Sequence, residues 1–259
     1  MMSTGLEQDF TNRFSSRVEY YIKFRPKYPK GLIDFLVEEL ALSPSSVIAD
    51  VGSGTGVLSE MFLRNGNRVF GVEPNKEMRE AAENLLREYP NFRSVNGSAE
   101  STTLDHQSVD FVTAGQAFHW FDMRKSGAEF SRILKPQGWT VLVWNARRTD
   151  STSFLKAYES FLCRCGIDYQ EVNQRNVDEN VLNQFYGSGG YQSKVFDNKQ
   201  VFDYESLKGR VLSCSYMPMQ GHPGYEPMIT ELQKIFREYQ TDGTVEFEYD
   251  TEMYYGRIE

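Results

Sequence analysis

Apolar positions recur at helical and then at strand spacing, in alternation, through the first 150 residues. Behind Pro29, which can open a helix, Leu32, Ile33, Leu36 and Leu40 fall on one helical face. The apolar run from Val47 to Val51 reads as a short buried strand. A glycine turn leads from it into a helix carrying Val57, Leu58, Met61 and Phe62, stopped by Asn65-Gly66. The strand "RVFGVE" ends at Glu73, and Asn75 can cap a helix with Met78, Ala82, Leu85 and Leu86 that stops before Pro90. "FRSVN" and "VDFVTA" follow as strands. A helix from about Asp122 to Leu134, a turn at Lys135-Pro136-Gln137-Gly138 and the strand "WTVLVWN" complete this half. Such alternation implies right-handed βαβ units. Strands this continuously apolar belong in a mostly parallel sheet covered on both faces.

After Asn145 the pattern loosens. A helix near 152–164, the glycine-rich "YGSGGY", a strand around 192–202 and an amphipathic helix with Met228, Ile229, Leu232, Ile235 and Phe236 precede a last strand within 244–257. The expected organisation is one domain over residues 1–259, with a core over 20–145 and an elaboration or lid over 150–243 feeding that strand. Composition changes this picture little. Hydrophobic residues at 40% and charged residues at 25% fit a globular chain. An aromatic share of 14% fills a core or lines a pocket for a small organic molecule.

Charge does exclude something. A formal net charge of −8 with no basic run lacks the footprint of a nucleic-acid binder. Three cysteines, Cys163, Cys165 and Cys214, form neither a disulfide framework nor a zinc spacing, and Cys163 and Cys165 read as structural. The start "MMSTGLEQDFTNRFSS" is too polar for a signal peptide, and no apolar stretch approaches roughly 20 residues, so the expected setting is cytoplasmic with no membrane partner.

The candidate chemistry begins at "DVGSGTG", residues 50–56. A dinucleotide fingerprint is G-x-G-x-x-G/A. Here Gly52, Gly54 and Gly56 are spaced G-x-G-x-G, and neither register puts a glycine or alanine third, since Val57 and Ser59 occupy those places. Asp50 sets an acid at the end of the first strand, where a pyrophosphate is disfavoured and an ammonium or sulfonium favoured. Glu73, about 20 residues beyond Gly52 at the end of the second strand, can accept both hydroxyls of a ribose.

Turn, acid and intervening helix together resemble the class I S-adenosylmethionine-dependent methyltransferases. The resemblance implies a Rossmann-like, doubly wound α/β fold. Its seven-stranded sheet would be mostly parallel, with an antiparallel last strand and a helical insertion near the C-terminal end. It implies S-adenosylmethionine as cofactor. Asp50, Gly52, Ser53, Gly54 and Gly56 would form the first cofactor motif, and Glu73 with Pro74 the second. Met78 would pack near the adenine, with Ser98 and Ala99 of "GSAES" flanking it, and Gln116 would be a further cofactor-binding residue. Many members carry an acid where this chain has Ser98.

The loop after the fourth strand, "AGQAFHWFD", lacks the Asn/Asp-Pro-Pro-aromatic stretch of nitrogen-methylating enzymes. With "YIKFRPKYP", "LKPQGWTVLVWNAR" and "DGTVEFEYDTEMYYGRI", it resembles the trans-aconitate and cantharidin-type small-molecule methyltransferases within the type 11 methyltransferase domain. That group folds the segment holding Tyr21, Arg25 and Tyr28 over the cofactor. Arg25 would then meet the methionine carboxylate or an acidic substrate.

His119 has a side chain suited to general-base work, with an unperturbed pKa of about 6.5. It can equally orient its loop, or bind a carboxylate that needs no base. Trp120 and Phe121 either pack or wall a sulfonium by a cation–π contact. Arg147 is a candidate for grasping an anionic substrate, and Arg148 beside it reads as solvated. No metal is expected, and alignment of nucleophile, methyl and sulfur carries the chemistry. The expected reaction is methyl transfer to an oxygen, first a carboxylate, of a small molecule. An NAD-type oxidoreductase and a non-catalytic S-adenosylmethionine-binding protein are the alternatives.

Overall fold

The computed structural model describes residues 18–169 and 177–258, so the N-terminal stretch read above for a signal peptide lies outside the described residues. Helices are α1 (Val18–Phe24), α2 (Lys30–Leu40), α3 (Val57–Arg64), α4 (Lys76–Leu85), α5 (Met123–Ile133), α6 (Ser153–Cys165), α7 (Glu179–Tyr186), α8 (Tyr204–Leu212) and α9 (Tyr225–Tyr239). Strands are β1 (Val47–Val51), β2 (Arg68–Val72), β3 (Phe92–Val95), β4 (Val109–Gly115), β5 (Leu134–Arg147), β6 (Tyr191–Phe202) and β7 (Val245–Gly256). The expected alternation is present through β5. Helices α1, α7 and α8 were not expected, because each is short and carries little periodic apolar signal.

The seven strands form one sheet in the order β3-β2-β1-β4-β5-β7-β6. β1 pairs in parallel with β2 and β4, as do β2 with β3 and β4 with β5. β7 runs against them: Arg148 N donates to the Glu248 carbonyl, while the Thr251 hydroxyl reaches Asn145 Oδ1 at 2.5 Å. The expected turn at Lys135–Gly138 is instead an excursion within β5. Val109 pairs with Leu134 and Phe111 with Trp139, so four residues of β5 face Asp110 alone. Asp110 holds the excursion by accepting from Lys135 Nζ and from Val47 N at 2.8 Å.

The described residues fall into two compact units. One takes its residues from Lys27–Asn145, Gln174–Phe196 and Thr251–Glu259. It is covered on both sheet faces, as apolar parallel strands require. Val141 and Val143 join the core under α2 and α3, while Leu142 and Trp144 join the core under α5 and α7. Phe62, Phe130 and Ile133 are fully buried there, each worth roughly 1.5–3 kcal/mol on the transfer scale. α7, within the stretch 150–243, packs into this unit through Leu182, Phe185 and Tyr186.

The other unit takes its residues from Met1–Pro26, Ala146–Asn173 and Asp197–Asp250. Its core joins α6, α8, α9 and the first half of β7 around Tyr158, Phe161, Leu207, Met228, Leu232 and Phe247. Gly209 lets α1 lie close on α8, since a Cβ there would run into the Phe24 ring.

Candidate active site

The turn after β1 is built on glycines because its backbone enters the left-handed region three times. Gly52, Gly54 and Gly56 have φ of 68°, 55° and 84°. Gly52 N and Ser53 N both donate to the Val72 carbonyl, tying the turn to the end of β2. The three glycines face different surroundings. A Cβ on Gly56 would lie 2.6 Å from Leu86, and one on Gly52 would lie 2.6 Å from the Ala117 methyl. A Cβ on Gly54 would meet nothing within 4 Å. The middle glycine therefore borders open space, while its neighbours permit close packing.

Glu73 sits beside that space, 9% exposed. Its Oε2 accepts from Gly54 N and its Oε1 from Asn75 N, both at 2.9 Å. Asn75 also caps α4 by accepting from Met78 N. Burial holds the Glu73 carboxyl above its usual range, against the pull of the two backbone donors and Arg79. Each carboxylate oxygen keeps a second lone pair for a ligand hydroxyl. Pro74 is exposed, and Met78 is buried at the start of α4.

Asp50 has different surroundings from those expected. It is 1% exposed and accepts from Ser59 Oγ of α3 at 2.6 Å and from Thr113 Oγ1 of β4 at 3.3 Å. Burial pushes its pKa up to about 7. Its carboxyl joins β1, α3 and β4 beneath the turn instead of presenting a charge above it. Sequence reasoning missed Ser59 and Thr113, although a serine on the apolar face between Leu58 and Phe62 was a readable signal.

The loop after β4 lies against the glycine turn through the Ala117–Gly52 approach, with the Phe121 ring 3.2 Å from the same Cβ position. Gln116 holds a φ of 58°, unusual for a side chain of its size. Its N–H donates to the Val143 carbonyl at 2.9 Å and its Nε2 to the Asn145 carbonyl at 3.2 Å. Phe118 is buried against Phe121, Trp144 and Phe185, which anchors the 3-10 turn Phe118–Trp120. His119 and Trp120 are half-buried, their rings 4.7 Å apart. Phe121 packs on Phe118 and Phe130. Tyr28 brings its hydroxyl to Gly115, where any Cβ would collide with it.

The adenine-side candidates form a tight loop. Ser98 and Ser101 exchange backbone hydrogen bonds, and Gly97 is needed because a Cβ would lie 2.8 Å from the Thr102 carbonyl. Ala99 is buried and Ser98 half-buried. Glu100 accepts from Asp122 N at 2.9 Å, joining this loop to the start of α5.

Asp50, Gly52, Ser53, Gly54, Gly56, Glu73, Pro74, Met78, Ser98, Ala99, Gln116, His119 and Trp120 thus belong to one unit. Tyr21, Arg25 and Arg147 belong to the other. Arg147 is not a free cation. It pairs with Glu159 and lies 4.9 Å over the Tyr158 ring, deep in the aromatic core. Arg148 is not solvated as expected: Asp250 and Asp197 hold it. Cys163 is exposed and Cys165 half-buried, donating to Glu231.

Comparison with known proteins bears on this geometry. Residues 49–142 match the family described as "Methyltransferase domain". The enzyme class that follows is S-adenosylmethionine-dependent methyl transfer. A protein of Schizosaccharomyces pombe named as a methyltransferase is 28% identical over 86% of this chain and 87% of its own. A methyltransferase of Mycobacterium bovis is 36% identical, spanning 56% of each chain. A type II methyltransferase structure from Anaeromyxobacter dehalogenans superposes with a TM-score of 0.67 at 22% identity, over 90% of this chain and 98% of that one. Its likeness extends the fold over most of the chain.

The methyltransferase domain's turn fits the cofactor this class requires. The space beside Gly54 adjoins a rigid carboxylate with acceptor capacity to spare. Thr55, in the same turn, is buried with its hydroxyl unpartnered among the described residues.

Proposed function

We propose that this methyltransferase domain moves a methyl group to an oxygen, first a carboxylate, of a small organic molecule, as in the trans-aconitate and cantharidin-type enzymes. The juxtaposition of Gly54's open side with the Glu73 carboxylate supports this reading more than any other observation. Glu73 would take the ribose hydroxyls, with Pro74 beside it. Gly52, Ser53, Gly54 and Gly56 would border the methionine part, Asp50 holding the turn in shape from below. Met78, Ser98 and Ala99 would enclose the adenine, and Gln116 would contribute a further contact. The bound cofactor supplies an electrophilic methyl carbon on a sulfonium.

The chain's own part is orientation and exclusion of water. Orientation of that kind contributes on the order of 7–11 kcal/mol to a displacement. The stiff loop from Gln116 to Phe121 is suited to it, because its backbone and rings are fixed by Asn145, Phe118 and Phe130. A carboxylate acceptor is ionised at neutral pH, so His119 would bind and align it with Trp120 instead of removing a proton. We assign no substrate role to Arg147, whose charge Glu159 already meets. No helix among the described residues is long and apolar enough to cross a membrane, and a cytoplasmic setting completes the reading.

The test is a calorimetric titration with S-adenosylhomocysteine, with NADH in parallel and Glu73→Ala as control. Charge-assisted bonds of about 1.5–3 kcal/mol each predict at least about tenfold weaker binding in the variant. A urea unfolding curve of Glu73→Ala checks that the turn survives, since Gly54 N and Asn75 N lose their acceptor. Binding of NADH instead would overturn the cofactor. Binding without labelled product from any carboxylic acid, alcohol or phenol would leave a non-catalytic binding protein.

A further inference from the structure

Arg210 is a cation that the fold has taken out of water. It is 7% exposed, in the last turn of α8, and no Asp or Glu among the described residues pairs with it. Other arginines of the same unit are met by carboxylates: Arg147 by Glu159, Arg148 by Asp250 and Asp197, and Arg164 by Glu231. A guanidinium keeps its proton inside a protein, so its burial has to be met by an anion. Nη1 reaches Ser213 Oγ at 3.4 Å, but that hydroxyl already donates to the Arg210 carbonyl at 2.7 Å. What Nη1 meets at close range is sulfur, for it donates to Cys214 Sγ at 2.9 Å.

The surroundings of Cys214 suit a thiolate. The residue is 1% exposed, and its sulfur takes two donors, Arg210 Nη1 and the Tyr216 hydroxyl. The Arg210 carbonyl, an acceptor that a neutral S–H would use, is 3.5 Å away, so the sulfur lies closer to the cation than to the acceptor. Charge-assisted bonds are the short ones. The charged and titratable groups around it come from several elements. Besides Arg210 on α8, they are Arg25 after α1, Tyr158 on α6, Tyr216 after α8 and Tyr249 on β7. Arg25 donates from Nη2 to the Ser213 carbonyl at 3.0 Å. Arg147, at the end of β5, lies over the Tyr158 ring with its own carboxylate, Glu159. From α9 the surrounding core takes Met228 and Leu232, which carry no charge. Burial pushes the phenols of Tyr158, Tyr216 and Tyr249 above their ordinary value. Burial acts on the thiol in the same direction, but Arg210 and Arg25 outweigh it and hold Cys214 at about 7.

We propose that Cys214 and Arg210 form a buried thiolate–guanidinium pair that works as a pH-sensitive lock on the unit of α6, α8, α9 and the first half of β7. Ionised, the sulfur is the counter-charge that lets the end of α8 stay in the core. Protonated, it leaves Arg210 buried and uncompensated, and the unit loosens. A thiol whose folded value is depressed contributes stability that is complete above its unfolded value of 9.0 and is lost as pH falls through about 7.

The test follows the cysteine Cβ by NMR in Cys163→Ser/Cys165→Ser protein carrying isotope-labelled cysteine, where Cys214 is the remaining thiol. Its resonance is expected to titrate near neutral pH in the folded protein, well below 9.0. Arg210→Met should return the titration to the ordinary value or above it, and Arg210→Lys, which keeps a charge, should restore part of the shift. Urea unfolding gives a second reading. Between about pH 6 and pH 8, wild type should gain about tenfold in its folded-to-unfolded ratio relative to Cys214→Ser, whose hydroxyl does not ionise there. Asp50 and the other titrating groups are common to both proteins and drop out of that difference. Three results would overturn the pair: Cys214 titrates at 9.0 or above in the folded protein, a folded Arg210→Met variant leaves its titration unmoved, or Cys214→Ser follows the pH slope of wild type. Should Arg210→Met fail to fold, the titration of Cys214 beside the intact arginine decides alone.

Discussion

Asp50→Asn probes how the glycine turn is held from beneath. In the folded protein the Asp50 carboxyl titrates at about 7 instead of 3.8, because it is fully buried and the donors Ser59 and Thr113 do not offset the lost hydration. The nearby Glu73 charge pushes in the same direction. Between these two values the folded chain keeps a proton that the unfolded chain has released. The contribution is therefore complete below pH 3.8 and is lost as pH rises through about 7. The whole difference is worth roughly 4 kcal/mol, of which about 2 kcal/mol falls between about pH 5 and pH 7. Asparagine keeps the shape and the hydrogen-bonding capacity but never ionises. Urea midpoints of both proteins across that range supply the assay. Glu73, also held above its usual range by burial, gives a slope of the same sign in both proteins, so their difference reports Asp50 together with its coupling to Glu73. Wild type should lose about 2 kcal/mol relative to Asp50→Asn on going from pH 5 to pH 7. A difference that stays flat across the range would refute the burial argument.

Other substitutions test the site and its supports. Gly54→Ala should cost only about 1 kcal/mol of stability for its positive φ, yet weaken S-adenosylhomocysteine binding at least about tenfold, because the new methyl enters the open space. Gly52→Ala should be the less stable of the two in urea, since its methyl would meet Ala117 at 2.6 Å. Glu159→Gln leaves Arg147 buried without its carboxylate, and urea unfolding should show a loss of about 3 kcal/mol. His119→Ala, assayed on the acceptor once found, should raise KM with kcat largely kept. A large fall in kcat with the acid limb of the pH profile gone would make His119 the base instead.

The sequence by itself determined the elements that depend on local order. Apolar runs and spacing marked β1 to β4 and their helices, and "DVGSGTG" announced a turn that only glycine tolerates, as its three positive φ values bear out. Glu73 was placed at the end of β2 by strand length alone, and Asn75 as a cap by its side chain. Tertiary structure decided where the charges point. Asp50 turns inward because Ser59 and Thr113, nine and sixty-three residues away, offer hydroxyls inside the sheet. Arg147 and Arg148, adjacent in the chain, meet acids from different elements: Glu159 on α6 for one, Asp250 on β7 for the other. Arg210 drew no notice in the sequence, since a lone arginine near a helix end reads as solvated. Only packing of α8 against β7 takes it out of water and sets it beside Cys214 and Tyr249. Backbone conformation is set largely by neighbours in sequence. The partner of a charge is set by neighbours in space, and these come from elements that the pattern does not bring together.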